Sequence, residues 1–202
     1  MIRLSLLILL FVFSNAFKTK EVEKINLTIG ANSYLLIDGK SNVNTFQCVF
    51  DDYLEQEKIC LEVVKDGECI HFSNAEFSFP IQLFDCGNKL MNNDFYELLE
   101  YSTYPKILCE IVCIKDKDLV ASSQQKCKTA VVSTRITLAG HSCDFSLPVE
   151  VESHQNERNY IGSLHLDIRS FGLEPPSKCL GMIQVDPEID IKFNFSATIE
   201  RN

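Results

Sequence analysis

Four histidines and nine cysteines are the side chains of this sequence best suited to nucleophilic, acid–base or metal chemistry. Their spacing argues against most of it. His71, His141, His154 and His165 are scattered, and no H-E-x-x-H, G-x-S-x-G, phosphate-loop or dinucleotide fingerprint occurs. "GHSC" at 140–143 puts a base, His141, and a thiol, Cys143, in one short stretch. Neighbours in a tight hairpin rarely reach attack geometry, and no third group is placed to orient the histidine. Cys109 and Cys113 are four apart with no second close pair, which is not the pattern of structural zinc. No catalytic residue and no metal ligand is expected.

Several cysteines read better as packing. "KILCEIVCIK" aligns Cys109 and Cys113 with Ile107 and Ile111, and "TFQCVF" aligns Cys48 with Phe46 and Phe50. A buried thiol behaves as a small hydrophobe. Residues four apart on a strand lie about 13 Å apart at about 3.3 Å per residue, too far for Cys109 to bridge Cys113. Both are expected to be buried on the apolar face and slow to alkylate. Nine is an odd number, so at least one cysteine is unpaired or intermolecular, and the connectivity stays open.

The elements that carry these residues follow from hydropathy. Alternation with period two dominates: Ile25, Leu27, Ile29; Phe77, Phe79, Ile81, Leu83; Cys143, Phe145, Leu147, Val149, Val151; Leu164, Leu166, Ile168; and Ile189 to Ile199. One apolar and one wet face signifies antiparallel sheet. His165, between Leu164 and Leu166, belongs on the wet face. Asp66-Gly67 marks a hairpin, and Asp38-Gly39, Gly140-His141 and Asp186-Pro187 mark turns or strand ends. The stretch 116–128 is polar and reads as a loop or frayed hairpin. One segment differs: Leu90, Met91, Phe95, Leu98 and Leu99 have helical spacing, predicting a helix over about 88–102, capped by Asn88 and stopped by Tyr104-Pro105. About eight strands and one helix predict an all-β, antiparallel barrel, which is either filled by its own side chains or holds one ligand.

The N-terminus has its own logic. Arg3, the apolar run Leu4–Phe13 and Ser14-Asn15-Ala16 have the order of a cleaved secretory signal. The expected division is a signal peptide over 1–16 and a single domain over 17–202, located in the periplasm or secreted. Removal of Arg3 turns 19 basic residues into 18 against 28 acidic, a net charge of −10. That balance disfavours nucleic acid as a partner. No later run is long and apolar enough for an integral membrane segment. "NLT" (26–28) and "NFS" (194–196) fit the glycosylation pattern, but both lie in predicted strands, so chance is the better explanation.

Taken together, four segments resemble the YceI-like family of exported, lipocalin-like proteins associated with polyisoprenoid binding. They are "LIDGKSNVNTFQC" (36–48), "FSFPIQLFDCGNKLMNNDFYELLEYSTYPKILCEI" (77–111), "TRITLAGHSCDFSLPVEV" (134–151) and "LHLDIRSFGLEPPSKCLGMIQVDPEIDIKFNF" (164–195). They occur in the family's order over nearly the whole of the expected domain. The segment 116–128, the high cysteine count and Asp144-Phe145 depart from the family pattern.

The resemblance implies a lipocalin-like barrel, no enzymatic activity, and a long-chain apolar small molecule as partner, such as an isoprenoid or quinone-type lipid, with no other cofactor. The inward apolar residues expected to contact it are Phe46, Phe79, Ile81, Phe95, Leu99, Ile107, Ile111, Phe193 and Phe195. Two alternatives remain open at this point: a filled barrel acting as an interaction module of the cell envelope, and a thiol-dependent stress or redox protein.

Overall fold

The computed structural model describes residues 22–30, 33–50, 58–115, 127–154, 157–178 and 180–201. The proposed signal peptide and most of the polar stretch 116–128 lie outside the described residues. In chain order the strands are β1 (Val22–Ile29), β2 (Tyr34–Lys40), β3 (Thr45–Phe50), β4 (Lys58–Asp66), β5 (Cys69–Ser73), β6 (Glu76–Pro80) and β7 (Phe84–Asp85). After helix α1 (Lys89–Leu98) come β8 (Lys106–Lys115), β9 (Cys127–Leu138), β10 (His141–His154), β11 (Glu157–Asp167), β12 (Ser177–Lys178), β13 (Ile183–Gln184) and β14 (Glu188–Arg201).

Eight antiparallel strands close a barrel in the order β1-β4-β5-β8-β9-β10-β11-β14, and β14 returns to β1 from Ile25↔Arg201 to Ile29↔Ala197. Closure leaves those strands without a free edge, which is how an alternating sequence avoids edge-to-edge aggregation. β14 is long enough for two partners on one side: β1 pairs its final third and β2 its first half, as in Phe193↔Leu35. β8 does the same with β5 and β6. β3 and β7 extend the sheet beyond β2.

The wet face is closed by cross-strand pairs. Arg135 and Asp144 are partners in register and make two hydrogen bonds of 2.8 and 3.1 Å. His165 and Asp190, likewise in register, lie 2.9 Å apart, so His165 is on the wet face. In the glycosylation-like stretch, Ser196 is fully buried and Asn194 Oδ1 is screened from solvent, so the folded chain does not present that site. No helix of the described residues is long and apolar enough to cross a membrane.

Strand β8 departs from its alternation. Ile111 pairs Thr134, but Cys113 pairs Ser133, so Val112 is the extra residue of a β-bulge. The bulge reverses the pleat: Ile111 shares the inner face with Thr134, and Cys113 shares the outer face with Ser133. The expectation that Cys113 faces the same way as Ile107 and Ile111 is therefore corrected. Cys113 is also not a free thiol; it forms a disulfide with Cys69. Cys48, read from the sequence as a small buried hydrophobe, is buried but bonded to Cys86. Cys109 is a free thiol and is not joined to Cys113.

The helix begins where expected and ends early. Asn88 is extended, and its side chain accepts from Met91 N at 3.0 Å. Asn92 fastens the same end, with its Oδ1 accepting from Cys86 N and its Nδ2 donating to Asp85. The last helical residue is Leu98 because Glu100 adopts φ 51°, a left-handed conformation that lets Tyr101 N donate to Tyr96 O. Tyr104-Pro105 lies beyond this stop and begins the extended approach to β8.

Candidate functional site

Part of the barrel interior is hollow, while the part under β1, β4 and β5 is filled by Ile25, Leu61, Val63, Ile70 and Ala75. A cavity of about 220 Å³ is lined by inward side chains of β2, β3, β6, β8, β9, β10, β11 and β14, with Phe95, Leu98 and Leu99 contributed by α1 and its C-terminus. Among the described residues, the wall is apolar apart from Thr134, Asp186 and the sulfur of Cys109 and Cys48.

Eight of the nine residues singled out from the sequence share this wall: Phe46, Phe79, Phe95, Leu99, Ile107, Ile111, Phe193 and Phe195. Ile81 stands apart. It lies in a short 3-10 turn, is 1% exposed, and packs in a cluster with Leu99 and Ile136 behind the wall. Alternation had already placed Phe77, Leu147, Val149, Leu164, Ile189 and Ile191 inward, and these line the cavity too. Asp186 carried no sequence signal beyond a turn.

Aromatic rings organise one side of the wall. Phe195 stacks on Phe193 at 5.4 Å and on Phe79 at 6.3 Å, and Phe79 meets Phe50 edge-on at 5.4 Å. Two glycines set the rings of Phe46 and Phe193. Gly39 is the cross-strand partner of Phe46, and Gly162 of Phe193. A Cβ on Gly162 would stand 2.5 Å from the Phe193 ring, and one on Gly39 would stand 2.4 Å from Phe46. Each ring thus lies across its glycine instead of filling the lumen. Gly162→Ala is expected to displace Phe193 and to cost about 1–3 kcal/mol of overpacking, read as a lowered urea midpoint. A variant as stable as the parent would show that the ring moves freely.

The cavity is costly if it stays empty. At about 24 cal/mol per Å³, a void of this size lowers stability by about 5 kcal/mol relative to a filled core. That is comparable to the whole stability of many small domains. Water is a poor occupant, because a buried water needs two to four polar partners. Thr134 does not supply them: its hydroxyl donates to Glu110 O at 2.8 Å and lies 3.2 Å from Cys109 Sγ. The interior therefore suits hydrocarbon. Its volume lies below the range of about 300–1,000 Å³ found for drug-sized ligands, which favours a slender chain.

Asp186 marks the mouth, since it lines the cavity yet its side chain is 32% exposed. Its carboxyl is held below the ordinary carboxylate value, first by the backbone N–H of Glu188 and also by Lys40, whose ammonium is 3.3 Å away. On the wall the opposite holds: Cys109 is half-buried, and its apolar surroundings push the thiol up. Cys109 is therefore expected to react with iodoacetamide at least tenfold more slowly than exposed Cys60 at pH 8, with denaturant abolishing the difference. Peptide mapping of a time course would reveal it, and equal rates would place Cys109 outside the wall. Cys143 has a packing role, with Sγ donating to Ser170 O at 3.3 Å and the side chain set against the core cluster at that end of the barrel.

No curated protein sequence matches the chain. Several solved structures share its fold, among them two matched over most of the chain. One is Burkholderia cenocepacia BcnA, 19% identical, covering 83% of this chain and 98% of its own, with a TM-score of 0.56. The other is a polyisoprenoid binding domain from Saccharophagus degradans implicated in plant cell wall breakdown, 12% identical, covering 86% and 97%, with a TM-score of 0.59. The model of the YceI-like domain matches residues 39–197, from the end of β2 into the second half of β14, and the chain belongs to that family.

Proposed function

We propose that the protein is an exported carrier that holds the tail of a long-chain apolar molecule, a polyisoprenoid or an isoprenoid quinone, inside its barrel. The observation that carries this reading is the apolar cavity of about 220 Å³ enclosed between β2, β3, β6, the strands β8 to β11, β14 and the C-terminal end of α1. The polyisoprenoid binding domain of the same fold supports it. The mechanism is physical: each CH₂ moved from water into the lumen contributes about 0.8 kcal/mol. The head group stays at the mouth, where the Lys40 ammonium offers a donor and the ionised Asp186 disfavours a second negative charge. A neutral head such as a quinone ring or an alcohol fits there better than a phosphate.

The Cys48–Cys86 and Cys69–Cys113 disulfides support an oxidising compartment, hence export with cleavage after Ala16. N-terminal sequencing of protein from the native host should begin at Phe17; a chain retaining Met1 would remove the export reading. The carrier reading is tested by native purification and mass spectrometry of the organic extract. A stoichiometric isoprenoid is the expected result. Sporadic phospholipid alone would leave a barrel without a dedicated ligand.

A further inference from the structure

We infer that the rim of the cavity mouth is a bilayer-docking surface, an inference that rests on the carrier reading above. The four most exposed large apolar side chains among the described residues are Leu180 at 105%, Met182 at 70%, Leu90 at 68% and Val43 at 64%. They come from three separate elements that meet at one place. Val43 is in the β2–β3 turn, Leu180 and Met182 form the tip of the β12–β13 hairpin, and Leu90 is in the first turn of α1.

Direct contacts join these elements. Asn42 Nδ2 donates to Met182 O at 2.8 Å, and Gln184 N donates to Asn42 Oδ1 at 3.0 Å, which locks the turn to the hairpin. Lys178 Nζ donates to Asp94 at 2.7 Å, which locks the hairpin to α1. Asp94 is four residues after Leu90, so the two share a helix face. The same turn and hairpin reach the mouth, since Ser41 bridges Val185 and Asp186 N donates to Lys40 O at 2.9 Å. Val185 and Asp186 line the cavity.

The form of the surface selects its occupant. The apolar groups project from two tight turns and one helix start around the cavity mouth, beside an open recess of mixed polarity lined by Asn44, Phe46, Gly87 and Met91. A bilayer accepts isolated apolar side chains at the level of its head groups. Two of the charged pairs that brace the rim, Lys40–Asp186 and Lys178–Asp94, are mutually neutralised, and the exposed Lys89 beside Leu90 is placed to stay at head-group level. An isoprenoid resident in a bilayer can enter the lumen without crossing water only if the mouth faces the lipid.

The test is flotation of the mature chain with phosphatidylcholine vesicles, beside a Leu180→Ser/Met182→Ser variant. Val43→Ser/Leu90→Ser serves as an independent second variant should the first fail to fold. The wild type should float with the vesicles in a manner insensitive to salt. Each variant should lose about tenfold or more in partition, as expected for withdrawing two large apolar side chains from lipid. Both variants should still take up a polyprenyl alcohol from detergent micelles while losing uptake from vesicles. A wild type that stays with the unbound fraction, variants that float equally well, or a wild-type dimer abolished by the substitutions would overturn the docking surface. Uptake from micelles without flotation would leave the carrier reading standing and remove the docking surface. Flotation without uptake from either donor would do the reverse.

Discussion

Replacing Cys48 and Cys86 together by alanine is expected to lower the unfolding free energy by about 4 kcal/mol. The residues are 38 apart, and the chain-entropy relation gives about that value for a loop of this length. The location adds a reason for the loss to be felt. Cys48 lies in β3 on the cavity wall, and Cys86 lies just before the Asn88 cap of α1, so the bond fixes the start of the helix to the barrel. Both sulfurs belong to a cluster with Phe50, Phe79 and Phe84. Equilibrium urea unfolding of the oxidised parent and the double variant, without reductant, measures the difference. A change below about 1 kcal/mol would show that the link does not constrain the chain. The Cys69–Cys113 bond closes a similar loop of 44 residues and should behave alike.

Ile111→Phe should leave stability nearly unchanged while reducing uptake of a polyprenyl alcohol at least tenfold. Ile111 is on the lumen face of β8 beside the bulge, and its side chain faces the cavity as well as two apolar clusters. In a filled core the larger ring would cost about 1–3 kcal/mol of overpacking. Here the cavity receives it, and part of the about 5 kcal/mol lost to the void is recovered. The ring then occupies space that the ligand tail would fill. Thermal melting and a binding titration on the same samples separate the two effects. Marked destabilisation with no ligand signal in either form would show a packed interior and end the carrier reading.

Much of this architecture is legible in the sequence because a half-buried strand has only one way to arrange its side chains. The alternation through Ile189, Ile191, Phe193 and Phe195 placed all four on the wall. Asn88, with a helical stripe behind it, located the helix start. What failed was whatever depends on one residue out of step or on distant partners. A bulge at Val112 leaves no mark in a run such as "EIVCI", yet it moves Cys113 to the opposite face. The Cys48–Cys86 and Cys69–Cys113 pairings need the three-dimensional neighbours. The helix end depended on the left-handed Glu100, a residue with no special preference for that conformation. Inward residues were identifiable, but lining and filling were not: Ile81 and Phe79 are two residues apart with similar chemistry, and Phe79 alone meets the cavity. The glycines that lay Phe46 and Phe193 against the wall became informative only with the register known.

Whether a dry lumen holds a hydrocarbon chain is read from chain-length dependence. Delipidated protein would be titrated with a homologous series of primary alcohols of increasing tail length. Each added CH₂ should tighten binding about fourfold, the equivalent of about 0.8 kcal/mol, until the tail fills the cavity. Affinity should then level off, and in Ile111→Phe it should level off at a shorter tail. Binding that is absent at every length, or that does not change with length, would show that the lumen holds no hydrocarbon chain.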